Sequence, residues 1–264
     1  MNLRTLKAAE GQDSTGPAND KDGDLMGRLH GAEYYISKSV GKAVMDYDMI
    51  AANDKILVAV SGGKDSLTLL HVLNDRRKFV PVKYDLLAVH VDMGYPCQHP
   101  KILAEYFKSM DLDYHIEKID ILKGKSRKEI SCFWCSWNRR KALFETAVRL
   151  GCTKVALGHH MDDIVETVLL NLFFRGEISA MCPKQELFKG KITIIRPLAY
   201  VTEDLIRKFA KDLDFPHHKC ACPNSLTSQR TKVEQIIKDL QKISPDVKKN
   251  IFRSVKRVKH DYLL

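Results

Sequence analysis

The feature that most constrains this chain is a short apolar run, residues 55–60 (KILVAV), that stops at Ser61-Gly62-Gly63-Lys64-Asp65-Ser66 and gives way to a helical pattern over residues 67–73. β-Branched residues in a run this short predict a strand buried on both faces. The alternation repeats downstream. Residues 84–91, 114–119, 154–157 and 191–195 read as strands, and residues 101–110, 138–150, 161–174 and 202–213 as helices, with Thr202 a candidate cap for the last. Strands separated by helices predict a parallel sheet, and right-handed crossovers lay the helices on both faces. The expected class is therefore α/β: a doubly wound parallel sheet with flanking helices.

Outside this region the chain changes character. Residues 1–24, rich in Gly, Asp, Asn and Lys, lack periodicity and predict a disordered N-terminal segment. Residues 25–50 predict an N-terminal helix, with Ile36, Val40, Ala43 and Val44 at helical spacing. The α/β domain takes residues 51–229. Residues 230–264 form a basic helical segment with an apolar stripe of Val233, Ile236, Ile237, Leu240 and Ile243; this stripe and the N-terminal helix are candidate faces for a homodimer. From Arg230 onward ten Lys/Arg stand against four Asp/Glu, which fits either a polyanionic partner or a solvated lysine-rich face. The start of the chain has no secretory apolar region, and no apolar run reaches the roughly 18 residues of a membrane span, so a cytoplasmic location is expected.

The 61–66 loop lies where an α/β sheet binds ligands, after a strand and before a helix. Gly62 and Gly63 let backbone amides approach phosphate oxygens, and the positive end of the next helix adds to the field. Ser61 and Ser66 offer hydroxyl donors, and Lys64 a point charge. Asp65 would repel phosphate unless it holds Mg²⁺ or a backbone donor, and of the two we assign it to the metal. The spacing is not that of the Walker A loop.

Seven cysteines without a secretory signal argue against a disulfide framework. Two spacings stand out: Cys132-Phe-Trp-Cys135, and Cys220-Ala-Cys222. By themselves they leave zinc, a dithiol pair and an iron–sulfur cluster open. Four thiolates on zinc in an RNA-binding module would use all of Cys132, Cys135, Cys220 and Cys222, but would leave the 61–66 loop unexplained. Cys97, Cys152 and Cys182 read as ordinary buried or half-buried thiols.

The 61–66 loop resembles the SGGxDS loop of the PP-loop ATP pyrophosphatases. Asp46-Tyr47-Asp48-Met49-Ile50, Gly158-His159-His160-Met161-Asp162-Asp163, Ile195-Arg196-Pro197-Leu198-Ala199-Tyr200 and Ser228-Gln229-Arg230 extend that likeness to one branch, the tRNA 2-thiocytidine synthetases. The resemblance spans about residues 34–235. It implies a PP-loop (adenine nucleotide alpha hydrolase-like) fold that splits ATP between the α and β phosphates. It also implies ATP binding by the 61–66 loop, by Val89, His90 and Asp92 at the end of the second strand, and by Gly158. Asp65, Asp162, Asp163 and Arg139 are the implied catalytic groups, with Mg²⁺. Cys132, Cys135 and Cys222 are the implied ligands of a [4Fe–4S] cluster, with Cys220 the second choice. The implied partners are tRNA and a sulfur donor, either sulfide or a protein persulfide. The chain departs from the family after Cys222, where Pro223-Asn224-Ser225 replaces Gly-Ser-Gln.

Each assignment has a plainer alternative. Asp162 and Asp163 also suit a helix start through the dipole alone. Arg139 and Arg140 also read as surface residues, and His159 and His160 as structural ones. Trp134 and Trp137 suit core packing as well as stacking on a base. A related 2-thiouridine synthetase, or sulfur transfer to a small molecule, is the enzymatic rival.

Overall fold

The computed structural model describes residues 31–94, 99–121, 131–216 and 229–262. The N-terminal segment 1–24, Cys97, Cys220 and Cys222 lie outside the described residues. Helix α1 (Gly31–Asp46) opens the fold and buries Ile36, Val40 and Ala43 along one stripe. Then follow β1 (Asp54–Ala59), α2 (Lys64–Phe79), β2 (Tyr84–Asp92), α3 (Pro100–Ser109), β3 (Tyr114–Lys118), α4 (Cys132–Arg149), β4 (Lys154–Ala156) and α5 (Met161–Arg175). The chain continues through β5 (Lys184–Leu187), β6 (Ile192–Ile195), α6 (Glu203–Asp212), α7 (Gln229–Ile243) and α8 (Val247–Ser254).

The sheet order is β3-β2-β1-β4-β6-β5. β1 is central and parallel to both neighbours, with Ile56 opposite Leu86 on one side and Lys154 on the other. Ile56, Leu57 and Val58 are each 0% exposed, which accounts for the unbroken apolar run in β1. The sheet is not wholly parallel. β5, unforeseen in the sequence, runs antiparallel to β6, pairing Lys184 with Ile195. Its sequence KQEL is polar because it is an outer strand with little burial. The turn to β6 places Phe188, Lys189 and Gly190 at positive φ.

One face of the sheet is covered by α1, α2, α3 and α6 around Leu67, Leu70, Phe107 and Phe209. The other is covered by α4 through Ala142, Leu143 and Ala147. A third cluster joins Val165 and Leu169 of α5 to Val233 and Ile237 of α7. The expected C-terminal stripe is therefore split, since Ile236, Leu240 and Ile243 are exposed.

Two helix starts differ from expectation. α4 begins at Cys132, six residues before the periodic pattern, because the Ser131 hydroxyl accepts from the Trp134 amide and caps the first turn. Thr202 makes no side-chain cap on α6; the Asp162 carboxylate accepts from Glu203 N at 2.8 Å instead. No helix among the described residues is long and apolar enough to cross a membrane.

Candidate functional site

The loop after β1 closes on itself. Ser66 Oγ donates to the Gly63 carbonyl at 2.9 Å and accepts from Ser61 N at 3.1 Å, while Gly63 N donates to Ser61 Oγ at 3.3 Å. Gly62 adopts φ +87°, a region barred to most side chains. No side chain caps α2 at Gly63, so the helix presents its first amides to an anion. Gly158, after β4, lies so close that a β-carbon there would stand 3.0 Å from Asp65 C and Ser66 N. Glycine at 158 lets the β4 and β1 loops share one wall.

That wall belongs to a cavity of about 360 Å³ at the C-terminal ends of β1, β2 and β4. Because β2 and β4 flank β1 on opposite sides, this is the topological switch point of the sheet. Ser61, Asp65 and Ser66 line it from the loop, Val89 and Val91 from β2, and Gly158, His159 and Asp163 from the start of α5. Arg139 and Arg140 enter from α4, and Arg230 from α7.

The charges around it are distributed unevenly. Asp65 Oδ1 is buried without a hydrogen bond; Lys64 Nζ lies 3.2 Å away and His160 Nε2 3.8 Å away, within ion-pair range but not in bonding geometry. A carboxylate oxygen left in this state at a phosphate cavity fits a magnesium ligand. Lys64 does not line the cavity; its ammonium also lies 3.2 Å from Glu203 of α6. Burial opposes the Lys64 charge, but Asp65 and Glu203 together hold its pKa above the ordinary value.

Asp162 and Asp163, adjacent in sequence, part company. Asp162 is buried and bonded to Lys248 of α8 and to Glu203 N, and it does not line the cavity. Burial would raise its pKa, but His160, Lys248 and that amide hold it far below the usual carboxylate range. Asp163 lines the cavity, accepts from His160 N at 3.0 Å, and pairs with Arg230. Arg230 also pairs with Glu166, whose pKa burial pushes up. Burial lowers His159 to about 4, so its ring is neutral at neutral pH. Burial also opposes the His160 charge, but the carboxylates of Asp162, Asp163 and Asp65 outweigh it and raise its pKa.

Of the groups expected at the end of β2, only Val89 reaches the cavity. His90 is 2% exposed and sits behind the loop, its Nδ1 2.8 Å from the Val60 carbonyl. Asp92 accepts from Gly94 N at 3.0 Å. Cys135 lies in the first turn of α4, one turn after the position of Cys132, with its Sγ 3.8 Å from Met93 Sδ. A half-buried thiol at the positive end of a helix suits a metal ligand, and Cys135 is the one member of the expected set whose side chain falls among the described residues. Cys152 is buried as expected, whereas Cys182 is exposed.

Residues 33–238 match the family model for the PP-loop domain. The tRNA-cytidine(32) 2-sulfurtransferases of Geotalea uraniireducens and Geobacter sulfurreducens are each 43% identical over 235 residues, covering 87% of this chain and 93% and 91% of their own. The chain belongs to the PP-loop family, in its tRNA-cytidine(32) 2-sulfurtransferase branch. Among solved structures, the U34-tRNA thiolase NcsA from Methanococcus maripaludis, with its [4Fe–4S] cluster, is similar to this PP-loop chain at TM-score 0.70 and 26% identity. The match covers 89% of this chain and 82% of that one.

Several groups around this PP-loop site have roles that the local sequence does not show. Glu203, in the first turn of α6, holds Lys64. Lys248 belonged to an undifferentiated basic segment, yet it fixes Asp162. Arg230 was marked only by the Ser228-Gln229-Arg230 likeness, and its place beside Asp163 arises from the docking of α7 on α5.

Proposed function

We propose that this PP-loop protein is an ATP-dependent tRNA sulfurtransferase that replaces the C2 oxygen of a cytidine with sulfur. The observation that carries the reading is one cavity shared by the 61–66 loop and by Ser136, Arg139 and Arg140, which follow directly on Cys135. That arrangement supports two chemistries at one carbonyl.

The cytidine C2 oxygen attacks the α-phosphorus of ATP, and pyrophosphate leaves with the bonding pair. Amides at the start of α2, with the Ser61 and Ser66 hydroxyls, hold the departing phosphates. Asp65 and Asp163 would hold Mg²⁺, which would draw charge from the phosphate oxygens, and Arg139 neutralises charge that develops on phosphate. Sulfur then adds at C2, and AMP departs with the former carbonyl oxygen. Cys132, Cys135 and Cys222 would hold the [4Fe–4S] cluster, whose open iron supplies a place for sulfur in its deprotonated, nucleophilic form. We assign sulfide as donor, or a protein persulfide whose outer sulfur a second thiol reduces to hydrosulfide as the two remaining sulfurs form a disulfide, and we assign the exposed face of Ile236, Leu240 and Ile243 to a homodimer.

Anaerobically purified protein, incubated with unmodified tRNA, ATP, Mg²⁺ and sulfide, is expected to yield 2-thiocytidine with AMP and pyrophosphate. Nucleoside mass analysis checks the product. Formation of 2-thiouridine alone, release of ADP, or stoichiometric zinc in place of iron would overturn the reading.

A further inference from the structure

A second concavity, about 640 Å³, lies between α4 and the β5–β6 hairpin, beside the nucleotide cavity. Its volume falls in the roughly 300–1,000 Å³ range of ligand sites. The walls are aromatic and apolar: Trp137, Phe144 and Val148 from α4 face Phe188 and Ile192 from the hairpin. Phe188, in the left-handed turn at φ +53°, is 59% exposed and meets Phe144 edge to face at 5.8 Å. Trp137 is 47% exposed and stacked at 5.7 Å on Trp134, itself 48% exposed. A soluble protein seldom leaves so many rings at one surface without a partner.

The rim identifies the partner. Arg140, Lys141, Arg149 and Lys191 surround the groove, with Glu145 the lone carboxylate of the lining. Lys141 Nζ lies 5.5 Å from the Trp137 ring centre. Exposed aromatic faces ringed by cations suit unpaired nucleotides, which offer a π-face to stack and a phosphate to neutralise. A second copy seated on this same face would bring like charges together. Arg140 and Phe144 line both this groove and the nucleotide cavity, so the two sites share a wall.

We infer that this groove stacks unpaired nucleotides of the RNA flanking the one that reacts, while that nucleotide occupies the adjoining cavity. The inference rests on the tRNA reading above and adds where the RNA chain runs. It makes Trp137 and Phe188 binding residues that act on substrate affinity rather than on the bond-making steps.

The test uses the cluster-loaded protein. The chain has two tryptophans, so Trp134→Phe leaves Trp137 as the sole reporter. Unmodified tRNA is expected to quench its fluorescence, and added salt to reverse this. The double variant Trp137→Ala/Phe188→Ala is expected to raise Kd and KM for tRNA about tenfold or more. Its kcat at saturating tRNA should stay within about twofold of the parent, as expected for binding lost equally in ground and transition states. Iron content and ATP affinity should not change. Normal tRNA affinity in a folded double variant overturns the groove assignment and leaves the thiolation reading intact. Loss of self-association with tRNA affinity unchanged also overturns it, in favour of a second copy as occupant. A wild-type protein that neither binds nor thiolates tRNA overturns both readings.

Discussion

Gly158 packs its backbone against Asp65 so closely that a β-carbon would stand 3.0 Å from the Asp65 carbonyl carbon. The neighbouring atoms are backbone and cannot swing aside. Gly158→Ala therefore has to push the 61–66 loop and the start of α5 apart. We expect about 1–3 kcal/mol of lost stability, as for other overpacked sites. ATP affinity should fall by more than the modest change in stability suggests. Analogue-binding titrations beside urea unfolding will show whether the two losses separate.

Lys248 is expected to matter for stability rather than chemistry. It meets Asp162 in a pair whose side chains are 19% and 6% exposed. Lys248→Met leaves the carboxylate buried with only His160 and the Glu203 amide as partners. Removing one partner of such a pair costs about 3 kcal/mol. Denaturant midpoints measure this; a loss below about 0.5 kcal/mol would mean that the pair is solvated like an ordinary surface bridge.

Acid should act through His159. Its pKa is depressed to about 4 by burial, against an ordinary value of 6.5. The unfolded chain thus binds the extra proton first, and stability falls as pH drops from 6.5 toward 4. The slope due to this residue approaches about 1.4 kcal/mol per pH unit within the window. His160 has the opposite sign: its raised pKa gives stability that is complete below 6.5 and lost as pH rises through the folded value. The two windows do not overlap. The stability of His159→Gln, from denaturant unfolding at a series of pH values between 6 and 4.5, should vary less with pH than that of the parent.

Cys135→Ser is expected to empty the cluster without disturbing the nucleotide cavity. The Ser131 cap and the burial of Ala142 and Leu143 keep α4 in place. Iron content and visible absorption should drop to near background while ATP affinity stays within about twofold, since hydroxyl is a poor iron ligand. Iron retained at the parental level would remove Cys135 from the ligand set.

Local segments of the fold were legible in the sequence. β1, its loop and α2 form one continuous unit, and their pattern does not depend on distant contacts. β5 was hidden because an outer strand with polar side chains lacks the apolar run that marks β1. The early start of α4 was hidden because Cys132-Phe-Trp-Cys135 has no helical periodicity, and its cap is a single serine. The pairs that complete the site have no local signature. Asp162 meets Glu203 N across 41 positions of sequence and Lys248 across 86, and only the packing of α5, α6 and α8 creates them.

Helix α4 has a mechanical consequence. It carries Cys135 in its first turn, Arg139 one turn on, and Phe144 further along between the cavity and the groove. On the function and groove proposed above, one stiff rod sets the phase between sulfur, phosphate and RNA, as cams on a shaft share one timing. An extra residue after Ser136 would turn everything beyond it by about 100° and advance it by about 1.5 Å. Every functional group would survive that insertion. None would meet its substrate in step with the others.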